Sequence, residues 1–355
     1  MKSLVAALML TAMIASPAAA QLGGLGKALG KVQEVRQELT FSDAEEQALG
    51  AEISAKLRDK YGVVQDQALH KYVGLVGTVL AARSSRPGLA WTFIVLDTDG
   101  VNAFAAPGGF IHITRGMLAL LQDEAELANV LGHEIGHVTA KHTLNAIQKS
   151  KVFGAAAKAT GKERLTQIAS VGYDVLLENN FDRNDETAAD RIGVTLSNGV
   201  GYSPAGLGGF LNRLAERNKN LTERSGPFAS HPETKARLDA VDRTIKSDRL
   251  MATATVRARY AASVPFKPVP VSSVAQVAPP SGAAAAKAPA SGGGGFGLSN
   301  LAALGREKSG TQTVSSAGSR GVNPDRDAAG GPNKSAVVVT MTQAEIAAFR
   351  KGIAG

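Results

Sequence analysis

Three histidines and a glutamate crowd into LGHEIGHVTAKH, residues 131 to 142, in a chain with only six histidines. His133 and His137 are four apart. On a helix that spacing leaves them about 40° apart around the axis and about 6 Å apart along it, so both imidazoles emerge on one face. Two neutral imidazole nitrogens so placed can hold Zn²⁺ at roughly 2.0–2.1 Å each. Glu134 projects to the edge of the same face. There it can take a proton from a water whose pKa the ion has lowered to about 7, the first step in attacking a carbonyl. The alternative is a polar helix face that shows the pattern by accident. Gly132 and Gly136 argue against accident: each costs about 1 kcal/mol relative to alanine inside a helix and is tolerable if another backbone passes close by. The flanking Leu127, Val130, Leu131, Ile135 and Val138 also show that this helix is not freely solvated.

A catalytic zinc needs a third protein ligand and one open position. His142 is nearest, but the metzincin spacing puts a third histidine ten positions after the first and a glycine seven after it. Thr143 and Ala140 stand there instead, and His142, one position short, would leave the face. NDETAADRIG downstream is the better source. Glu186 and Asp190 share one face of a predicted helix, Glu186 as ligand and Asp190 behind it to accept a ring N–H from a zinc-bound histidine. Alone this acid pair is a weak signal; it gains weight by following the histidine pair on a second helix.

The elements that position these residues follow from pattern. Ser42 with Glu45 forms a capping box that opens a helix to about Lys60, and another helix covers Gln67 to Ala82. WTFIVLD (Trp91 to Asp97) has strand character, Asp99-Gly100 forms a turn, and VNAFA and GFIHI make two short strands separated by Pro107-Gly108-Gly109. Helical periodicity runs from Asp123, a candidate cap, to about Ser150. It returns over residues 162–177, 185–196, 204–217 and 232–246.

Composition sets the outer limits. With 355 residues, 44% hydrophobic and 20% charged, the chain suits one or two globular domains. Lys2, the apolar run Leu4 to Ile14 and SPAAA form a secretory signal with a cut after Ala20. No later stretch is long and apolar enough to span a membrane. Leu22 to Leu39 is amphipathic, which suits a helix packed on the domain or one lying on a membrane surface. Cysteine is absent, which excludes disulfides, a lipidated N-terminal cysteine, a thiol nucleophile and thiolate zinc ligands. The net charge of +8 permits loose contact with anionic surfaces. No basic run interleaves with aromatics, so no nucleic-acid partner is expected. The predicted layout is a signal peptide at 1–20, a metallopeptidase domain at 21–262 with its core at about 40–249, a disordered Pro/Ala/Gly/Ser-rich linker at 263–334 and a short strand–helix element at 335–355. In the last, AVVVTM precedes a Thr342/Glu345 capping box.

HEIGH followed by ETAAD and SHPETKAR resembles the zinc metalloendopeptidases (gluzincins) related to the CAAX prenyl protease, HtpX and the soluble periplasmic proteases of outer-membrane quality control. VNAFAAPGGFIHITRGML is similar to the strand region before their zinc helix, and the likeness covers about Thr40 to Arg249. The resemblance implies a mainly helical α+β, zincin-like domain with a small antiparallel sheet packed on the His-Glu-x-x-His helix. It implies one Zn²⁺ per chain held by His133, His137 and Glu186, with Glu134 as general base and Asp190 behind the ligands. It also implies that Asn102 lies on an edge strand that pairs with an extended substrate backbone; without the family, Asn102 is a turn-proximal amide. His231, held extended by Pro232, could donate to an oxyanion, close the site as a fourth ligand, or simply cap a helix. Arg237 fits the pattern too, though a surface salt bridge would explain it equally. The chain lacks the transmembrane helices and the helical repeat domain of some relatives.

The expectation is an exported, periplasmic zinc endopeptidase acting on misfolded or unassembled polypeptides, with outer-membrane assembly machinery or a membrane surface, to which it would be peripheral, as a partner. The competing expectation is a chaperone-like binding protein whose zinc site His231 keeps closed.

Overall fold

The computed structural model describes residues 41–177, 181–218, 235–268, 311–315 and 336–354. The expected signal peptide, the amphipathic segment up to Leu39, His231 and most of the expected linker lie outside the described residues. All described helices and strands belong to one unit, Asp43–Gly355.

Helix α1 (Asp43–Tyr61) has acidic residues in its first turn and Arg58 and Lys60 in its last, the distribution that its macrodipole favours. Helix α2 (Gln67–Ala81) starts at Asp66, whose carboxylate accepts the Leu69 N–H. Three short strands follow: β1 (Thr92–Leu96), β2 (Ala103–Ala106) and β3 (Phe110–Thr114). Their order is β1-β3-β2. The sheet is mixed, which corrects the expected antiparallel one. The segment after β1 crosses to the far edge, β2 turns back through Pro107–Gly109, and β3 returns antiparallel to β2 and parallel to β1. That turn takes Gly108 to φ 73° and Gly109 to φ 96°, which glycine adopts without steric cost. A Cβ on Gly108 would also lie 2.6 Å from the Gln47 Cα. The strands are apolar and buried almost throughout, as befits a sheet covered by helices.

After a short helix α3 (Arg115–Leu120), Asp123 accepts the Glu126 N–H and opens α4 (Glu124–Thr139), which carries the histidine pair. The single helix expected as far as Ser150 is two helices. Lys141 adopts a left-handed conformation, φ 59°, and α5 (His142–Lys149) starts anew. Neither glycine nor proline marks that break, at which the Lys141 ammonium reaches the fully buried Glu46 carboxylate at 3.3 Å. Helices α6 (Phe153–Ala156) and α7 (Gly161–Leu177) lead to α8 (Arg183–Val200). Asp182 and Asp185 form a capping box at the start of α8, and Gly201 at φ 119° ends it. Helices α9 (Ala205–Asn218), α10 (Lys235–Ser247) and α11 (Arg257–Ser263) complete the helical layers.

The most extensive packing between two elements joins α4 to α8. A Cβ on Gly132 would sit 3.0 Å from Gly193 Cα, one on Gly136 3.0 Å from Ala189 Cα, and one on Gly193 2.7 Å from His133 N. The two backbones therefore touch, which is the close approach that would make helix glycines worth their propensity cost.

The strand–helix expected at the end consists of β5 (Ala336–Thr340), paired antiparallel with β4 (Thr311–Ser315), and α12 (Gln343–Ala354). β4 lies inside the stretch expected to be linker; its TQTVS sequence supplies a partner for the β-branched run of β5. The Thr342/Glu345 capping box forms: the Glu345 N–H donates to Thr342 Oγ1 at 3.2 Å and the Thr342 N–H to Glu345 Oε2 at 2.8 Å. The element packs on α2, burying Val337, Val339, Met341 and Ile353. It also abuts a buried hub. Glu124 accepts hydrogen bonds from Tyr72 at 2.9 Å, Tyr202 at 2.6 Å and Arg259 Nε at 2.7 Å. The same guanidinium lies over the Phe349 ring, 4.0 Å from its centroid.

Substituting Gly193 by valine would push α8 off α4, because the first atom added already meets the His133 backbone. We expect a loss of about 1–3 kcal/mol of stability in urea unfolding; an unchanged midpoint would contradict the backbone contact.

Candidate metal centre

Backbone contact between α4 and α8 leaves their facing side chains little room except toward one another. His133 and His137 project from α4, Glu186 from α8, and all three are buried. His137 Nε2 lies 3.0 Å from His133 Nε2. Glu186 Oε2 is 3.6 Å from His133 Nε2, and Glu186 Oε1 is 3.5 Å from His137 Nε2. Bonds of roughly 2.0–2.1 Å to a tetrahedral ion put ligand atoms about 3.4 Å apart. Two imidazoles and a carboxylate suit a zinc-like divalent cation and leave one corner open. The ring of Phe181 covers His137, their centroids 4.3 Å apart.

Behind the ligands, the His133 Nδ1–H donates to Asp190 Oδ1 at 2.9 Å. A carboxylate only accepts, so this bond places the ring proton on Nδ1 and leaves the Nε2 lone pair facing Glu186 and His137. Asp190 in turn receives Arg237 Nε on Oδ2 at 2.8 Å and Nη2 on Oδ1 at 2.7 Å, while Nη1 lies 2.8 Å from Glu186 Oε2. Burial would raise the Asp190 pKa, but Arg237 and His133 outweigh it and hold the carboxyl well below its usual range. Arg237 is only 4% exposed. The surface salt bridge weighed as its alternative is thereby excluded; Arg237 ties α10 to Glu186 and Asp190 of α8. The residue type could be read from the sequence, but its burial depends on how α10 packs against α8.

Glu134 is fully buried. Its pKa is pushed up to about 8, first by burial, against the pull of His133 and Arg237 and with the repulsion of Glu186 added. A divalent cation alongside would draw it down again. Asp190 and Glu186 are thus two buried carboxylates against one guanidinium, an excess of negative charge that favours a cation nearby.

The remaining candidates have different surroundings. His142 is outside the converging trio, but the helix break turns it back so that its Nδ1 lies 3.0 Å from His137 Nδ1. It was expected to leave the face. Asn102 sits one residue before β2, the edge strand. Its carbonyl accepts the Thr114 N–H at 3.0 Å and its side-chain Oδ1 accepts the Ala103 N–H at 2.9 Å. The hydroxyl of Thr143, on α5, donates to the Ala105 carbonyl at 2.7 Å. His231 lies outside the described residues.

Comparison with known proteins identifies a family. The model of peptidase family M48 matches residues 67–245, half of the chain. The Beta-barrel assembly-enhancing protease of Yersinia pestis is 27% identical over 213 residues, 56% of this chain and 43% of that protein. The Mitochondrial metalloendopeptidase OMA1 of Arabidopsis thaliana is 32% identical over 142 residues, 40% of this chain and 29% of its own length. The Metalloprotease LoiP of Escherichia coli (strain K12) is 27% identical over 223 residues, 61% of this chain and 86% of its own. The chain thus spans less than half of the Yersinia protein. Among the described residues no helix is long and apolar enough to cross a membrane.

Replacing Arg237 by leucine would strand two buried carboxylates. Breaking such a pair costs about 3–5 kcal/mol, and Arg237→Lys should recover only part of it, because one ammonium cannot fork to both partners. Urea unfolding of the metal-free proteins measures this. Equal midpoints for Arg237→Leu and wild type would show that the pairing carries no such weight.

Proposed function

Because the chain belongs to peptidase family M48, we propose that it is a zinc-dependent metalloendopeptidase that hydrolyses peptide bonds in extended or unfolded polypeptides. The observation that carries this reading is the convergence of His133, His137 and Glu186 ligand atoms within 4.8 Å of one another, with the buried Glu134 on the same helix. In this reading those three residues hold one Zn²⁺. When bound, the ion supplies Lewis acidity, lowering the pKa of a water to about 7 and polarising the peptide carbonyl. Glu134 takes the proton of the attacking water as the oxygen–carbon bond forms. It then delivers that proton to the amine nitrogen as the carbon–nitrogen bond breaks. Asp190 keeps the His133 ring turned to the metal, and Arg237 offsets the charge of Asp190 and Glu186.

Substrate would align along the edge strand at Asn102 by main-chain hydrogen bonding. Strand alternation points the main-chain N–H and C=O groups of the buried Ala103 and Ala105 away from β3, since the Asn102 carbonyl is bonded to Thr114 of β3. The Ala103 N–H and the Ala105 carbonyl are engaged by Asn102 and Thr143, so an incoming backbone would exchange with these two side chains. For His231 the reading keeps a role at the reacting carbonyl. Loss of turnover at constant zinc in His231→Ala supports it, whereas a gain would make His231 a closing ligand.

Export to the periplasm and a part in outer-membrane protein quality control extend the proposal. They rest on the signal-like residues 1–20 and on the likeness to the Beta-barrel assembly-enhancing protease of Yersinia pestis. Partners would be unfolded exported polypeptides, with outer-membrane assembly machinery or a membrane surface as the place of action. No observation on the described residues favours the chaperone-like alternative.

The test combines zinc stoichiometry with casein degradation. Wild type should bind one zinc and cleave. Glu134→Gln should keep the metal and lose about 10²–10⁴-fold in rate, and Glu186→Ala should lose the metal. A wild type that binds zinc yet leaves casein intact across a range of conditions would overturn the assignment.

A further inference from the structure

His142 is the third histidine of the opening motif, and neither metal binding nor proton transfer accounts for it. It is 6% exposed and begins α5 immediately after the left-handed Lys141. The break in the helix thus reverses the chain far enough to bring the His142 ring against His137, with ring centroids 4.9 Å apart and planes at 77°. The two rings meet nitrogen to nitrogen, Nδ1 to Nδ1 at 3.0 Å. On its other side His142 Nε2 is 3.5 Å from Asp185 Oδ1. Asp185 precedes Glu186 on α8, the helix that also supplies Asp190.

Tautomer logic gives this contact a direction. His137 Nε2 faces His133 Nε2 and Glu186, so an ion held there takes the Nε2 lone pair and the ring proton of His137 belongs on Nδ1. A ligating histidine needs an acceptor for that proton. His133 has the Asp190 carboxylate. For His137 the group opposite Nδ1 is the Nδ1 of a second imidazole, which can accept only if its own proton sits on Nε2. That proton then points to Asp185.

We propose that His142, backed by Asp185, is a positioning residue that fixes the tautomer and ring orientation of His137 for metal binding. The proposal rests on the reading of His133, His137 and Glu186 as the metal centre. α8 thereby orients both ligand imidazoles, His133 directly through Asp190 and His137 through His142. The two supports differ in kind, one a carboxylate and one a neutral ring.

The test is Co²⁺ affinity of the full chain, by competition with a chromophoric chelator, together with the visible absorption of bound Co²⁺. The side-chain oxygen of asparagine can occupy the place of an imidazole Nδ1, whereas the amide of glutamine reaches to the place of Nε2. His142→Asn should therefore stay within about threefold of wild type. His142→Gln and His142→Phe should bind about 10–100-fold more weakly, with altered Co²⁺ bands, and Asp185→Asn should show a smaller loss. Wild-type affinity in His142→Phe overturns the proposal. So does equal weakening of the Asn, Gln and Phe variants, the behaviour expected of a direct ligand. Should His142→Phe not fold, the Asn and Gln pair decides, and equal affinities count against the proposal. His137→Ala is the control. If it binds Co²⁺ as tightly as wild type, the metal centre itself is wrongly assigned, a result distinct from any failure of His142.

Discussion

Backbone contact between α4 and α8 is the constraint on which the site depends. Gly132, Gly136 and Gly193, with Ala189, let the two helices approach until main-chain atoms touch. At that distance helix periodicity does the rest. Positions 133 and 137 on one helix confront positions 186 and 190 on the other, so a histidine pair and an acid pair interleave over about one turn each. Larger residues at the contact would separate ligand from ligand by more than a metal can span. The small residues that weaken each helix in isolation are therefore what allow the two imidazoles and the carboxylate to converge.

Electrostatics complete the argument. Glu134, Glu186 and Asp190 are buried together with Arg237 as the cation among them. Concentrating like charges away from water is unfavourable unless each is hydrogen-bonded and opposite charge is supplied. Arg237 meets part of that demand by gripping Asp190 with two nitrogens and Glu186 with a third. What remains is negative and faces the two imidazole nitrogens, so the protein invests folding energy in a place for a cation. The raised pKa of Glu134 has the same origin as the appetite for metal: a carboxyl held in a dry, electronegative enclosure.

Much of this was legible beforehand. The spacing of His133, Glu134 and His137 fixes a helix face whatever the tertiary structure, and the acid pair at 186 and 190 is readable by the same periodicity. The helix glycines implied a close neighbour before that neighbour was known. Legibility ended where distant segments decide conformation. Nothing local foretells that Lys141 turns left-handed, at the point where its ammonium meets Glu46 on α1. His142 therefore looked misplaced until the break brought it back to His137. Arg237 could not be told from a surface cation until α10 was seen against α8. The parallel pairing of β1 with β3 depends on which side of the sheet the chain crosses, and strand pattern does not record that. The pairing of β4 with β5 joins segments separated by a long stretch poor in apolar residues, and composition alone hid it.

The Glu124 hub gives the fold a temporal order. This first residue of α4 is gripped by Tyr72, Tyr202 and Arg259, partners 52, 78 and 135 residues away in sequence. Contacts of such separation are slow to form, because loop-closure entropy is spent before any of them is rewarded. Helix α4 is thus anchored at its start only after α2, the segment beyond α8 and α11 have all arrived. The carboxylate of Glu186 must likewise travel to the histidines from a separate helix. A half-folded chain consequently carries the histidine pair without the carboxylate that completes the cluster, so the site exists only once the tertiary structure is finished.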